Sequence, residues 1–201
     1  MPDKPLEARS LDEAADAIRS VLSRDSSSSR PIIAIGGPVG SGKSTLAGML
    51  DAMVISTDEY LPDYEGLAAH ERDEPHRADL PRLASDLKLL QTLGSARIPK
   101  WCFQSHRRIG EQEITASGPI VCEGIFALHP VISHLTRLRV LVVAAQDTRW
   151  KRWERIELEG ERGMGVRAAR EHFDSIAEPT YDKYASLYES NLDLIVRNDN
   201  F

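Results

Sequence analysis

Cysteine is nearly absent, with Cys102 and Cys122 the two examples in 201 residues. Two thiols cannot build a disulfide framework or a tetrahedral thiolate zinc site. An excess of positive charge is missing as well: 25 Lys plus Arg stand against 31 Asp plus Glu, for a net charge of -6. That balance argues against broad nonspecific binding to nucleic acid or to an anionic membrane surface. No apolar run approaches the ~18 residues that a membrane span needs. The opening Met-Pro-Asp-Lys-Pro lacks the basic-then-apolar layout of a secretory signal, so a reducing, cytoplasmic setting is expected. What is present is an ordinary globular composition, 41% hydrophobic and 28% charged, sufficient for a buried core in one domain.

Residues 10–24 predict an amphipathic helix. Ser10 and Glu13 have capping-box spacing, and Leu11, Ala14, Ala15, Ile18, Val21 and Leu22 recur on one face. Four serines between Arg24 and Arg30 read as a linker, so residues 1–30 form one unit and 31–201 the main domain. The first helix either packs on that domain or docks a partner. From Pro31 onward, short apolar runs alternate with helical segments. Ile32 to Ile35, Met53 to Ser56, Ile120 to Cys122, Arg139 to Ala144 and Leu192 to Val196 read as five buried strands of a parallel sheet flanked by helices. Helices are expected at 80–93, 129–137, 147–160, 165–177 and 180–190. Residues 97–115 break this pattern and read as a small inserted β-hairpin.

The sharpest signal is Gly37-Pro38-Val39-Gly40-Ser41-Gly42-Lys43-Ser44, a complete G-x-x-x-x-G-K-[ST] between a strand and a helix. A chance match in a chain of this composition is about 3 in 1,000. Glycines there let backbone amides turn inward on phosphate, and the helix that follows adds its dipole. Lys43 is positioned to reach the β- and γ-phosphates of a nucleotide and Ser44 to ligate Mg²⁺; Thr45 completes the turn. In a parallel sheet, ligands lie beyond the carboxyl ends of the strands. Asp58 and Glu123 fall at two such ends, where a carboxylate can hold Mg²⁺ or accept the proton of an attacking hydroxyl. The alternative readings are a helix N-cap for Asp58 and a solvated strand end for Glu123. Arg149, Arg152 and Arg155 recur at intervals of three ahead of Arg162, Gly163 and Gly165. This 147–165 region reads as a helical lid bringing guanidiniums to the phosphates, or else as an exposed helix with pairing glutamates.

Taken in order, Ser56-Thr57-Asp58-Glu59-Tyr60, Asp73 to Asp79, Ile98 to His106, Val121 to Leu128, Glu161-Arg162-Gly163 and a Pro179-centred helix pair resemble the uridine kinase/phosphoribulokinase group of P-loop kinases. The resemblance covers about Ile32 to Val196 and is strongest to uridine kinases. It implies a P-loop fold using ATP and Mg²⁺, with Asp58 as the base, Lys43, Arg152 and Arg155 acting on the transferring group, and Arg149 and Arg162 binding nucleotide. It further implies metal assistance from Glu123, and an acceptor pocket containing Tyr60, Asp73, Trp101, Phe103, His106 and His172. The implied acceptor is a small molecule, a pyrimidine nucleoside first, with no nucleic acid or membrane partner; a homo-oligomer is compatible. Departures bear on that acceptor. Trp101 stands where the family has Tyr, Cys102 where it has Asp, and His172 where it has Gln. The Arg-Asp pair before the lid turn is missing, with a spacing about one residue longer. Pantothenate, a ribosyl-pyridine or a sugar alcohol are the alternative acceptors, and a non-catalytic ATP-binding regulator is the reading from another class.

Overall fold

A computed structural model describes residues 4–24 and 30–199. Its centre is strand β2 (Ile32–Gly36), apolar and buried at every position, as expected of a strand covered on both faces. β6 (Ile120–Glu123) and then β3 (Met53–Ser56) lie to one side. β7 (Thr136–Val143), β8 (Leu194–Arg197) and β1 (Leu6–Ala8) lie to the other. The order β1-β8-β7-β2-β6-β3 is parallel throughout.

The sheet therefore has six strands where the sequence pattern predicts five. The sixth is a three-residue edge strand, Leu6-Glu7-Ala8, held by one neighbour, β8, and three residues carry no readable period. It ties the amino-terminal segment into the domain. Helix α1 (Leu11–Ser23) starts on a Ser10 hydroxyl that accepts from the Glu13 amide at 3.1 Å, while Glu13 accepts from the Arg9 amide at 2.7 Å. Its Ala14, Ala15 and Ile18 are buried in the same cluster as Ile33, Ile35, Val140 and Val142. The apolar face of α1 thus packs on the sheet, one of the two placements that the sequence leaves open for this helix. The serines at 26–29 lie outside the described residues.

The opposite face of the sheet carries α3 (Leu80–Leu93) and the short α4 (Pro130–Ser133). α3 keeps its expected ends: the Asp79 carboxylate accepts from the Arg82 amide, Pro81 sits in the first turn, and Gly94 closes the helix in the left-handed region. α4 is far shorter than the predicted 129–137, because β7 begins at Thr136 and not at Arg139. At the carboxyl end of the chain the predicted break between two helices is absent. α6 (Val166–His172) runs through a π-turn at Phe173–Ala177 into α7 (Glu178–Tyr188). Pro179 follows directly on the π-turn, at the first turn of α7. The insertion is the expected hairpin, β4 (Ser95–Cys102) against β5 (Arg107–Thr115), an antiparallel sheet of its own. Its Ala96, Ile98 and Trp101 anchor it in the α3-side core.

Candidate active site

Strand register assembles the phosphate end. Ile35 and Ser56 both pair with Glu123, so the ends of β2, β6 and β3 come level in one row. The loop after β2 enters the short helix α2 (Lys43–Gly48). Within that loop Gly40 has φ 74°, and a Cβ there would collide with the backbone of Arg149 on α5 (Gln146–Leu158). The loop thus holds its shape against α5, with glycine required by both conformation and space. Gly124 is constrained likewise: at φ 134° a Cβ would strike the Thr57 hydroxyl, which lets β6 and the turn after β3 approach closely.

Lys43 is buried, and its ammonium donates to the Pro38 carbonyl at 2.8 Å. Burial lowers its pKa to about 8, against the pull of Glu123 and then Asp58 to raise it. The Ser44 hydroxyl donates to a Glu123 carboxylate oxygen at 3.1 Å, which places the two expected metal ligands side by side. Burial pushes the Glu123 carboxyl above its ordinary range and the nearby Asp58 adds to the rise; Lys43 opposes it. Asp58 sits in a 3-10 turn, Thr57–Tyr60, where its own amide is capped by the Ser56 hydroxyl at 3.2 Å. The Asp58 side chain lines the cavity, so the N-cap alternative fails. Burial raises its pKa too, with Arg162 and then Lys43 pulling it down.

One continuous cavity of about 400 Å³ joins this row to the hairpin. Val39, Gly40, Gly42, Lys43, Ser44, Thr45, Asp58 and Glu123 line one end. Trp101, Phe103, His106 and Tyr64 line the other. Trp101 meets Phe103 edge-on at 5.1 Å and Tyr64 at 5.1 Å, and the His106 ring lies parallel to Tyr64 at 5.4 Å and 9°. Burial and the Arg72 charge lower the His106 pKa, so this ring stacks in its neutral form at pH 7. The segment after β3 is tied to the hairpin by four hydrogen bonds: the Trp101 amide donates to Glu59 at 2.6 Å, the Trp101 indole to the Pro62 carbonyl at 3.3 Å, the Arg108 amide to Asp63 at 2.6 Å, and the Tyr64 amide to the His106 carbonyl at 3.0 Å. Asp73 and His172 both line the cavity and meet at 3.1 Å.

Several expected site residues lie elsewhere. Tyr60 is fully buried in the core, its hydroxyl donating to Asp86 at 3.0 Å, and does not line the cavity; the turn that presents Asp58 points the neighbouring ring inward. Arg149 is also withdrawn. It forms a two-pronged pair with Glu178 at 2.5 Å and donates to the carbonyls of Ala144 and Val39. It fastens α5 to the loop and to α7, and its donors are consumed in doing so. Gly37, Pro38 and Ser41 form the back of the loop and do not line the cavity. Arg152 does, but its guanidinium donates to the carbonyls of Gly40, Ser41 and Asn198. Arg155 and Arg162 also line it, Arg162 lying 4.8 Å over the Phe103 ring.

Three residues that sequence reasoning missed also belong here. Tyr64 follows Pro62-Asp63 in an irregular loop, a lone aromatic without a period to place it. Glu157 is one acid among several on α5, yet it is buried. Leu11 reaches the cavity from the amino-terminal helix, a contact between segments 30 residues apart.

The profile of the Phosphoribulokinase / Uridine kinase family matches residues 53–199. That match begins after the phosphate loop, so loop and match are separate lines of support. Uridine-cytidine kinase A of Dictyostelium discoideum is 23% identical over 180 residues, 82% of this chain and 35% of that protein. Uridine-cytidine kinase B of the same organism is 25% identical over 181 residues, 82% of this chain and 73% of that protein. The chain thus spans about a third of the length of the first of these relatives. A solved structure described as a possible uridine kinase from Bacillus stearothermophilus superposes with a TM-score of 0.70 at 15% identity, covering 92% of this chain and 98% of that one; at that identity it speaks for the fold. With the family profile over more than half of its residues and a parallel sheet carrying a complete phosphate loop, the chain belongs to the Phosphoribulokinase / Uridine kinase family.

Proposed function

We propose that the protein transfers the γ-phosphoryl group of ATP to a hydroxyl of a small molecule, with the 5′-hydroxyl of a pyrimidine nucleoside as the first acceptor to test. The carrying observation is the single cavity that opens at one end on Lys43, Ser44 and Glu123 and at the other on four aromatic rings, with Asp58 lining it beside Lys43. Loop amides and Lys43 bind the phosphates. Asp58 accepts the acceptor hydroxyl's proton, and Arg162 faces the charge that develops on the transferring oxygens. Asp73, its carboxylate fixed by His172 at 3.1 Å, holds acceptor hydroxyls, and Phe103 and His106 offer ring faces for stacking.

Ser44 and Glu123 at 3.1 Å are the oxygen donors a magnesium ion takes. Ser44 and Glu123 would hold such an ion beside the phosphate loop. It supplies charge neutralisation on the phosphates when bound.

One observation favours an acceptor other than a nucleoside. The Trp101 indole N–H is engaged by the Pro62 carbonyl and His172 Nε2 by Asp73. These ring nitrogens at two of the positions that depart from the family are therefore already partnered, and stacking plus hydroxyl recognition remains. A sugar alcohol or ribosyl compound satisfies that set. The test is ADP release over pyrimidine and purine nucleosides, pantothenate, ribosyl-pyridines and sugar alcohols, with Lys43→Ala as the blank. Turnover of uridine or cytidine well above the others supports the first reading. Release that no acceptor stimulates overturns both.

A further inference from the structure

The lid turn between α5 and α6, residues 159–165, is gripped from two sides. On its own side is Glu157, a buried carboxylate at the last turn of α5. One of its oxygens accepts from the Trp153 indole at 3.1 Å, and the other from the amides of Met164 at 3.1 Å and Gly165 at 2.9 Å. On the far side is Gln104, at the tip of the acceptor hairpin. Its amide donates to the carbonyls of Gly160 at 2.7 Å and Glu161 at 3.3 Å, and Gly163 packs so closely on it that a Cβ would meet the Gln104 oxygen at 2.6 Å. Between the two grips sits Arg162, its guanidinium 4.8 Å over Phe103 of the hairpin and 5.8 Å over Trp153 of the lid.

These contacts share a purpose that none serves alone. A turn with left-handed glycines at 160, 163 and 165 has little intrinsic preference for one shape, so the direction of Arg162 is set from outside the turn. Charge-assisted hydrogen bonds accepted by a buried carboxylate are among the stronger ways to set it. The second grip comes from the element that lines the acceptor end of the cavity, so the arginine's place depends on where the hairpin stands.

We propose that Glu157 and Gln104 are positioning residues that clasp the lid turn, aim Arg162 at the reacting phosphate, and tie that aim to the acceptor hairpin. The proposal rests on the phosphotransferase reading above, and part of its test is independent of activity.

The experiment compares Glu157→Gln, Gln104→Ala and Arg162→Ala, singly and combined with Arg162→Ala. Hydrogen exchange at the Met164 and Gly165 amides is read first, in the presence of ATP and magnesium. Glu157→Gln replaces one acceptor oxygen by an amide group, and exchange at these two amides should speed at least tenfold while the sheet amides are unchanged. Unchanged exchange there overturns the clasp whatever the enzyme's substrate. With the acceptor that the screen identifies, Glu157→Gln and Gln104→Ala should each lower kcat by about 10-fold or more with KM for ATP within about twofold. Once Arg162→Ala has removed the guanidinium, neither should cost anything further. Equal losses with and without Arg162 would mean that the two residues serve folding only, and would overturn the proposal. Gln104→Ala should also raise the ratio of acceptor-independent ATP hydrolysis to transfer, and an unchanged ratio overturns the tie to the hairpin.

Discussion

The two ends of the cavity are built by different means. At the phosphate end the working parts are main-chain amides, a lysine and two carboxylates, fixed by strand register and by a loop whose glycines leave no room for a Cβ. At the acceptor end the working parts are side chains from four separate segments: the hairpin, the irregular loop holding Tyr64, the stretch holding Asp73, and α6 with His172. Backbone geometry tolerates little variation, whereas side-chain pockets change by single substitutions without disturbing the chemistry. On the proposed reading the first end defines the reaction and the second selects its substrate.

The largest effects should follow from breaking the phosphate end. Asp58→Asn keeps the shape and removes the proton acceptor, so nucleotide should still bind by calorimetry while transfer falls by about 10²–10⁴-fold. Lys43→Ala should lose both, because its ammonium is the buried charge aimed at the phosphates. Full transfer in Asp58→Asn would detach that carboxylate from the mechanism and erase the contrast between the ends. Gly40→Ala is the second break. Its φ of 74° and the backbone of Arg149 behind it both reject a methyl group. The loop must move off α5, which should cost nucleotide affinity about 10-fold or more together with roughly 1–3 kcal/mol of stability. The same substitution at Gly66, which has nothing within 4 Å, meets only a backbone penalty.

That contrast also explains what could be read from the chain alone. Five of the strands, α1, α3, the hairpin and the phosphate loop are local patterns, each confined to a run of residues with its own period or caps. A motif or a strand end places Lys43, Ser44, Asp58 and Glu123, and the structure brings all four to the cavity wall. Tyr60 and Arg149 were misplaced because burial is not local. A motif neighbour of Asp58 points into the core toward Asp86, and an arginine in a plausible row is taken by Glu178, 29 residues away. β1 was too short to show a period, and Tyr64 and Glu157 act only through contacts that the fold creates.

A pH profile sharpens the comparison with a smaller effect. Burial lowers Lys43 to about 8, below the ordinary 10.5 of a free lysine. In the free protein its charge is lost as pH rises through about 8. Nucleotide affinity should therefore decline above that pH by up to tenfold per unit, with proton uptake on binding there. Stability runs the other way. The unfolded chain holds the lysine proton up to about 10.5, so the cost of burying the charge is relieved and the free protein becomes more stable between about 8 and 10.5. Calorimetric binding in buffers of different ionisation enthalpy checks the first part, and Lys43→Met should abolish the second.

The smallest effects should separate two aromatic residues of the acceptor end. Trp101 is 6% exposed, packs in the α3-side core and donates its indole N–H to Pro62; Phe103 is partly exposed under Arg162. Trp101→Phe keeps a ring but strands the Pro62 carbonyl, at a cost of about 1 kcal/mol, or roughly 2–4 °C in Tm for a domain of this size. Its KM for acceptor should move little, since a wall residue held on all sides contributes shape. Phe103→Leu should do the reverse, leaving Tm nearly unchanged while acceptor KM rises several-fold through loss of a ring face. If Trp101→Phe instead moves KM and spares Tm, the indole itself reads the acceptor. Its bond to Pro62 would then have to open during binding, and the acceptor end would be as finely specified as the phosphate end.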